Sequence, residues 1–248
     1  MSSLTPSNLL ETWEKAESAT PATRVLLLLE AAHPERTRAE FEQLRVSARD
    51  TLLLGLREEL FGTQLRSLTP CPVCGREVEL AFETRDLWPA TPPNGHGEIF
   101  PFRTGSVSGT FRLPISGDWL AVPPDCAAPE EVRDAIALRC LVSLEGGDDR
   151  PPSQTLPREA LTAIGAAIAE RDADAHTELT ASCPSCGHLW NALFDIGSFL
   201  WREIDAYCQR LLRYVHQLAS AYGWSEQEIL GLSAQRRETY LALVEQHE

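Results

Sequence analysis

Cys71-Pro-Val-Cys74-Gly75 and Cys183-Pro-Ser-Cys186-Gly187 are two cysteine knuckles of one design. In each, two thiolates stand about one turn apart, and the following glycine lets the backbone curl beneath the sulfurs. Together they offer four soft ligands, the donor set of a tetrahedral zinc site. A lone C-x-x-C says little. A matched pair, with Pro after each first Cys and Gly after each second, reads as one shared four-cysteine zinc ribbon. A redox C-x-x-C belongs at the start of a helix inside a βαβ unit. Here strand-like text follows both knuckles, Arg76-Glu-Val-Glu-Leu-Ala-Phe82 and His188-Leu-Trp-Asn-Ala-Leu-Phe194. Four thiolates close the coordination shell, so Cys71, Cys74, Cys183 and Cys186 predict structural rather than catalytic Zn2+. Such a site contributes on the order of 10 kcal/mol of apparent binding free energy. His188 is left to the ribbon surface.

The elements around the knuckles must bring them together across the 108 residues that separate Cys74 from Cys183. Loop-closure entropy grows only logarithmically with length, so the gap is tolerable if the intervening chain folds and returns. The pattern predicts a mainly helical α+β protein, with a split four-cysteine zinc ribbon joining N- and C-terminal helical segments. Residues 1–66 form the N-terminal helical segment and 67–88 the first half of the ribbon. Residues 89–175 are an inserted loop, strand and two-helix segment; 176–195 complete the ribbon, and 196–248 carry a long helix plus two short ones.

Within these segments, Asn8–Glu17 reads as a short amphipathic helix. A second helix runs from Pro21, a residue suited to a first turn, to about Ala32. Ser47 is the expected N-cap of a helix carrying Leu52, Leu53, Leu56 and Leu60 and closed by Gly62. Trp88 and the proline-rich run after it read as a loop or mobile linker. Thr104–Leu113 resembles a strand or hairpin. A helix from Pro129 to about Leu144 carries Glu130 and Glu131 in its first turn, where the dipole favours anions. A polar turn from Glu145 to Pro152, an alanine-rich helix over about Pro157–Arg171 and a strand over Thr177–Thr180 follow. From Ile196 to Tyr222 the apolar positions step by four and three without interruption, predicting a helix of about 27 residues, near 40 Å long. Gly223 ends it, Ser225 and Glu228 form a capping box, and Ser233 starts a last helix.

Composition narrows the function classes. Among 248 residues, 43% are hydrophobic, enough for a substantial core. The longest apolar stretches, such as Val25–Leu29, fall far short of a membrane span, and the N-terminus has no charged region followed by an apolar signal segment. Seven cysteines, four of them in knuckles, suit a reducing cytosol; Cys126, Cys140 and Cys208 read as spare thiols. A net charge of −14 and a single lysine, Lys15, argue against nucleic acid, which needs clustered Lys and Arg to displace counterions.

Several stretches resemble one family. They are Ala192–Asp205, Leu211–Ala219, Ala221–Leu230, Leu232–Tyr240, the helix text Arg49–Gly62, both knuckles, and Phe111-Arg-Leu-Pro114 with Asp118. The family is the baseplate hub assembly chaperone type of T-even phages, also encoded beside phage-tail-like contractile injection systems. The resemblance covers most of the chain and is sharpest in its last 57 residues. It implies a cytoplasmic bacterial protein that binds a baseplate hub or spike subunit before assembly, with the particle itself as a second location. It carries no active-site residues. Two other classes compete with it: a permanent structural subunit of the baseplate, and an enzyme with an acid/base site on the C-terminal helix, where Glu203, Asp205 and His216 lie. The chain lacks a phosphate loop, an H-E-x-x-H and a G-x-S-x-G elbow, so a non-enzyme is expected. For partner binding, the residues singled out are Trp201, Asp205, His216, Trp224, Arg236 and Arg237, the last two being a basic pair suited to an acidic patch.

Overall fold

Thr5 and Thr20 each precede a proline, and each accepts a backbone N–H from three residues on, Asn8 at 3.2 Å and Thr23 at 3.3 Å. Side-chain caps of this kind satisfy orphan amides, and proline in the first turn forfeits nothing; they start helices α1 (Pro6–Ala16) and α2 (Pro21–Ala32). The computed structural model describes residues 4–88, 97–105, 107–123, 126, 128–145, 156–172 and 177–246. The fold is mixed helix and sheet, with 56% of the described residues helical. It divides into two units, Met1–Arg36 with Gly197–Glu248, and Thr37–Ile196.

In the first unit, α1 and α2 are accompanied by α8 (Ile196–Tyr222, counted in chain order), α9 (Glu226–Leu230) and α10 (Ala234–Glu245). Leu9 and Leu10 of α1, Leu26, Leu28 and Leu29 of α2, and Leu200, Ile204, Leu211 and Leu218 of α8 are buried. Polar contacts tie the helices in register. Trp13 Nε1 donates to Asp205 Oδ1 at 2.9 Å, and the Arg24 guanidinium sits 4.7 Å over the Trp201 ring. Arg24 also donates to the carbonyls of Ala16 and Glu17 at 3.0 and 2.6 Å, filling acceptors that the end of α1 leaves open. Ser225 and Glu228 make the expected capping box at α9.

The second unit begins with α3 (Arg38–Glu42) and α4 (Val46–Phe61). Two antiparallel hairpins carry the cysteine knuckles at their turns: β1 (Gln64–Pro70) with β2 (Glu77–Glu83), and β6 (Thr177–Ser182) with β7 (Leu189–Phe194). Between them a three-stranded sheet, β3 (Ile99–Thr104), β4 (Val107–Arg112) and β5 (Leu141–Glu145), carries α5 (Ser116–Leu120), α6 (Pro129–Cys140) and α7 (Arg158–Arg171). Its core is Phe102, Phe111, Ile136, Ala137, Ala160 and Ile164. Gly109 of β4 lies so close to β5 that a Cβ there would stand 2.2 Å from the Ser143 carbonyl oxygen. Asp118, 1% exposed, accepts a two-pronged bond from Arg112 at 2.7 and 2.8 Å, a third from Arg139 at 3.3 Å and the Ile115 amide at 3.0 Å. Among the described residues no helix is long and apolar enough to cross a membrane.

Two expectations about local structure are corrected and a third is extended. The helix from Pro129 ends at Cys140, because the next five residues turn extended and pair with β4 as a sheet edge. A helical reading of Val142 and Leu144 missed this because the pairing partner lies about thirty residues upstream. Ser47 is not the cap of α4. Arg45 occupies that position, held extended by a bridge to Ile115, and Ser47 is buried one residue into the helix. Thr104–Leu113 is one arm of a hairpin that begins at Ile99 and turns at Gly105, whose φ of 54° suits glycine. Most of the proline-rich loop after Trp88, residues 89–96, and all but the first residue of the turn after Leu144 lie outside the described residues.

Candidate metal centre

Each knuckle caps its hairpin with the same backbone geometry. Cys71 N donates to Arg76 O at 2.8 Å and Cys183 N to His188 O at 2.9 Å. Gly75 N and Gly187 N return to the carbonyls of Cys71 and Cys183, both at 2.9 Å, and both glycines take φ of 71°. That left-handed turn is open to glycine at little cost, which is why a Gly follows each second cysteine. The likeness extends along the hairpins. Phe82 and Phe194 each stand eleven positions beyond the first cysteine of their own knuckle, and their rings meet edge to face at 5.2 Å. This shared offset was legible in the sequence and went unread.

The two knuckles meet. Cys71 Sγ lies 3.7 Å from Cys186 Sγ, Cys74 Sγ lies 3.6 Å from Cys183 Sγ, and all four sulfurs fall within 4.8 Å of one another. Four thiolates around one zinc at about 2.3 Å give tetrahedral edges of about 3.8 Å, so the spacing fits a single tetrahedral ion. One cysteine of each knuckle is buried, Cys71 and Cys183, and the other faces outward. Val78 packs with the buried pair, and Leu80 and Trp190 lean against them. His188 stacks on Trp190 at 6.0 Å.

The backbone around the sulfurs favours thiolate. The amides of Cys74 and Val73 hold the Cys71 thiol low, and those of Cys186 and Ser185 draw Cys183 down to about 6. Cys186 moves the other way. The His188 amide lowers it, but desolvation and the sulfurs of Cys183, Cys74 and Cys71 together push it up to about 12. A second negative charge is resisted in so tight a group unless a cation joins it. The four sulfurs could therefore hold a soft cation. Cys140 and Cys208 differ: both are fully buried, and burial pushes both thiols up to about 12, the behaviour of inert core cysteines.

The residues singled out for partner binding are dispersed over the first unit. Trp201 is half-buried beneath Arg24, and Asp205 accepts from Trp13 and, at 3.1 Å, from Gln209. Trp224 packs at the corner after α8, its ring 4.7 Å from Tyr222 and 4.8 Å from Tyr240. His216 and Arg236 are exposed. Arg237 points inward and is 4% exposed. Sequence reasoning paired it with Arg236 as a surface patch; adjacent helical positions point about 100° apart, and the two side chains separate accordingly. Tyr207, which belongs to the apolar stripe, lines a cavity with Arg210, Tyr214 and Arg237; the first three were not singled out as site residues.

A family model described as T4 bacteriophage base plate protein matches residues 9–201, a span that includes both knuckles and parts of both units. No curated protein and no solved structure matches the chain.

Proposed function

Because the chain belongs to the T4 bacteriophage base plate protein family, we propose that it is an assembly chaperone or adaptor for the baseplate hub of a phage-tail-like contractile injection system. It binds a hub or spike subunit in the bacterial cytoplasm before the particle assembles, and shields that subunit's association surface. Zn2+ is the ion that the cysteine nest holds, since four thiolates at tetrahedral spacing suit zinc and leave no site for a hard cation. The role of the zinc is structural, for it pins two hairpins that have little core of their own. The family match over most of the chain carries this reading. The all-sulfur centre supports it by offering a scaffold where an enzyme would offer a reactive site.

The test is an affinity pull-down of the tagged full-length protein from cells assembling the particle, with quantitative mass spectrometry and parallel analysis of finished particles. Enrichment of a hub or spike subunit from lysate, with the bait absent from finished particles, is the expected result. Stoichiometric retention in particles makes the protein a structural subunit instead. Recovery of no baseplate subunit rejects the reading.

A further inference from the structure

Helices α8 and α10 flank a cavity of about 310 Å3. Tyr207, Arg210, Leu211 and Tyr214 line it from α8, and Arg237 and Glu238 from α10. Arg237 is 4% exposed, and its Nη1 donates to the carbonyls of Leu230 at 3.2 Å and Leu232 at 2.6 Å. Those two bonds use both hydrogens of Nη1. A guanidinium has five N–H donors in a fixed fork, so the Nε–H and two Nη2–H donors remain. Among the described residues they meet no hydrogen-bond acceptor, and no carboxylate pairs with Arg237. Neither nitrogen is sealed off from accessible space.

The side chain is buried along most of its length and has no carboxylate partner among the described residues, so its free donors face the cavity with their charge uncompensated, the condition in which an anion gains most. The free edge of Arg237, Nε–H beside one Nη2–H, matches the two oxygens of a carboxylate in bidentate geometry. Arg210 is a second cation at the same cavity, its guanidinium 5.6 Å over the Tyr207 ring. Two guanidiniums against the single carboxylate of Glu238 make the cavity locally positive in a chain of net charge −14. The tyrosine walls offer ring faces to a side-chain stem. A phosphate dianion suits the cavity less well, because Glu238 stands in the same lining.

We propose that this cavity is a carboxylate-binding pocket that receives an Asp or Glu side chain from a peptide segment of a partner protein. Arg237 is the bidentate anchor and Arg210 the charge at the rim. The proposal rests on the baseplate reading for the identity of the partner, but not for the chemistry of the pocket.

A yeast-displayed library of random 12-residue peptides, panned against the full-length protein, tests it. Enriched peptides are expected to share Asp or Glu at one position, and synthetic peptides with Asn or Gln there to bind at least tenfold more weakly by fluorescence anisotropy. Arg237→Lys keeps the charge and loses the fork, and is expected to weaken binding similarly; since Arg237 also holds two carbonyls, that variant can misfold. Arg210→Glu touches neither carbonyl and serves as the second variant, with at least a tenfold loss expected. No enrichment, enriched peptides lacking a carboxylate, or amide peptides that bind equally overturn the proposal. Equal binding by the Arg210→Glu protein overturns the role of the rim. Repeating the pull-down with Arg210→Glu separates the two readings. Carboxylate-dependent peptide binding without capture of a baseplate subunit leaves the pocket standing and removes the baseplate reading. Undiminished capture of a hub or spike subunit by the variant keeps the adaptor reading and removes the pocket as its partner site.

Discussion

Replacing Cys183 with serine isolates what the metal centre contributes. Cys183 is 1% exposed, its sulfur is 3.6 Å from Cys74, and its own backbone closes the second knuckle. The apolar support nearby is slight: among the described residues Val78 is the one buried aliphatic side chain grouped with the cysteines, and Leu80 and Trp190 are only partly covered. Burying one such side chain stabilises by about 1.5–3 kcal/mol. So little apolar burial leaves the knuckles dependent on the metal that the four sulfurs could hold. With free zinc at about 1,000 times Kd, binding stabilises the folded state by about 4 kcal/mol. For a chain of this length each kcal/mol moves Tm by about 2–4 °C, so losing the site lowers Tm by about 8–16 °C. Native mass spectrometry and a chromogenic zinc assay should find one zinc per wild-type chain and almost none in Cys183→Ser. Thermal unfolding should show that chelator lowers the wild-type Tm by about the same amount and leaves the variant unmoved, since both remove one interaction. Cys140→Ser, in the core of the three-stranded sheet, should keep its zinc. A metal-free wild-type protein, or a Cys183→Ser protein with unchanged metal content and Tm, refutes the reasoning.

Three further outcomes are expected. Asp118→Asn removes the charge that the Arg112 fork and Arg139 surround, and breaking a buried pair from one side is strongly destabilising. Discounted for the exposure of both arginines, the loss is about 2–4 kcal/mol in urea unfolding, and a change below about 1 kcal/mol would sink the assignment. The same residue sets an acid limit. Burial raises the Asp118 carboxyl, but the Arg112 fork, the Ile115 amide and Arg139 outweigh it and hold the group below its ordinary value. A depressed carboxylate contributes stability above its unfolded pKa of about 3.9 and loses it as pH falls through the folded value. Wild-type stability should therefore drop more steeply below about pH 4 than that of Asp118→Asn, and parallel acid-unfolding curves would contradict this. Gly109→Ala should lower Tm, because its Cβ would meet the Ser143 carbonyl at 2.2 Å. Overpacking of this kind is unfavourable by about 1–3 kcal/mol or more; a wild-type Tm would show that β5 is not held as tightly as the pairing implies.

The parts legible in the amino-acid order are those whose cause is local. Knuckle geometry follows from Cys-Pro-x-Cys-Gly because the turn needs a glycine at φ of 71° and nothing distant. Helix α8 follows from an unbroken apolar stripe, and α9 from a capping box three residues wide. Even the meeting of the knuckles was readable, since half a donor set has no use without the other half. The tertiary structure decided what depended on distant partners. Leu141–Glu145 became a strand because β4 supplied acceptors and donors that a helix would otherwise have satisfied within itself. Ser47 gave up its cap to Arg45 because Ile115 pairs there. Arg237, next to Arg236 in the chain, went inward because carbonyls at Leu230 and Leu232 receive it. Local order determines backbone conformation wherever the stabilising groups lie within a few residues. Where a buried charge goes, and whether a strand finds its edge, is set by groups that only folding brings near.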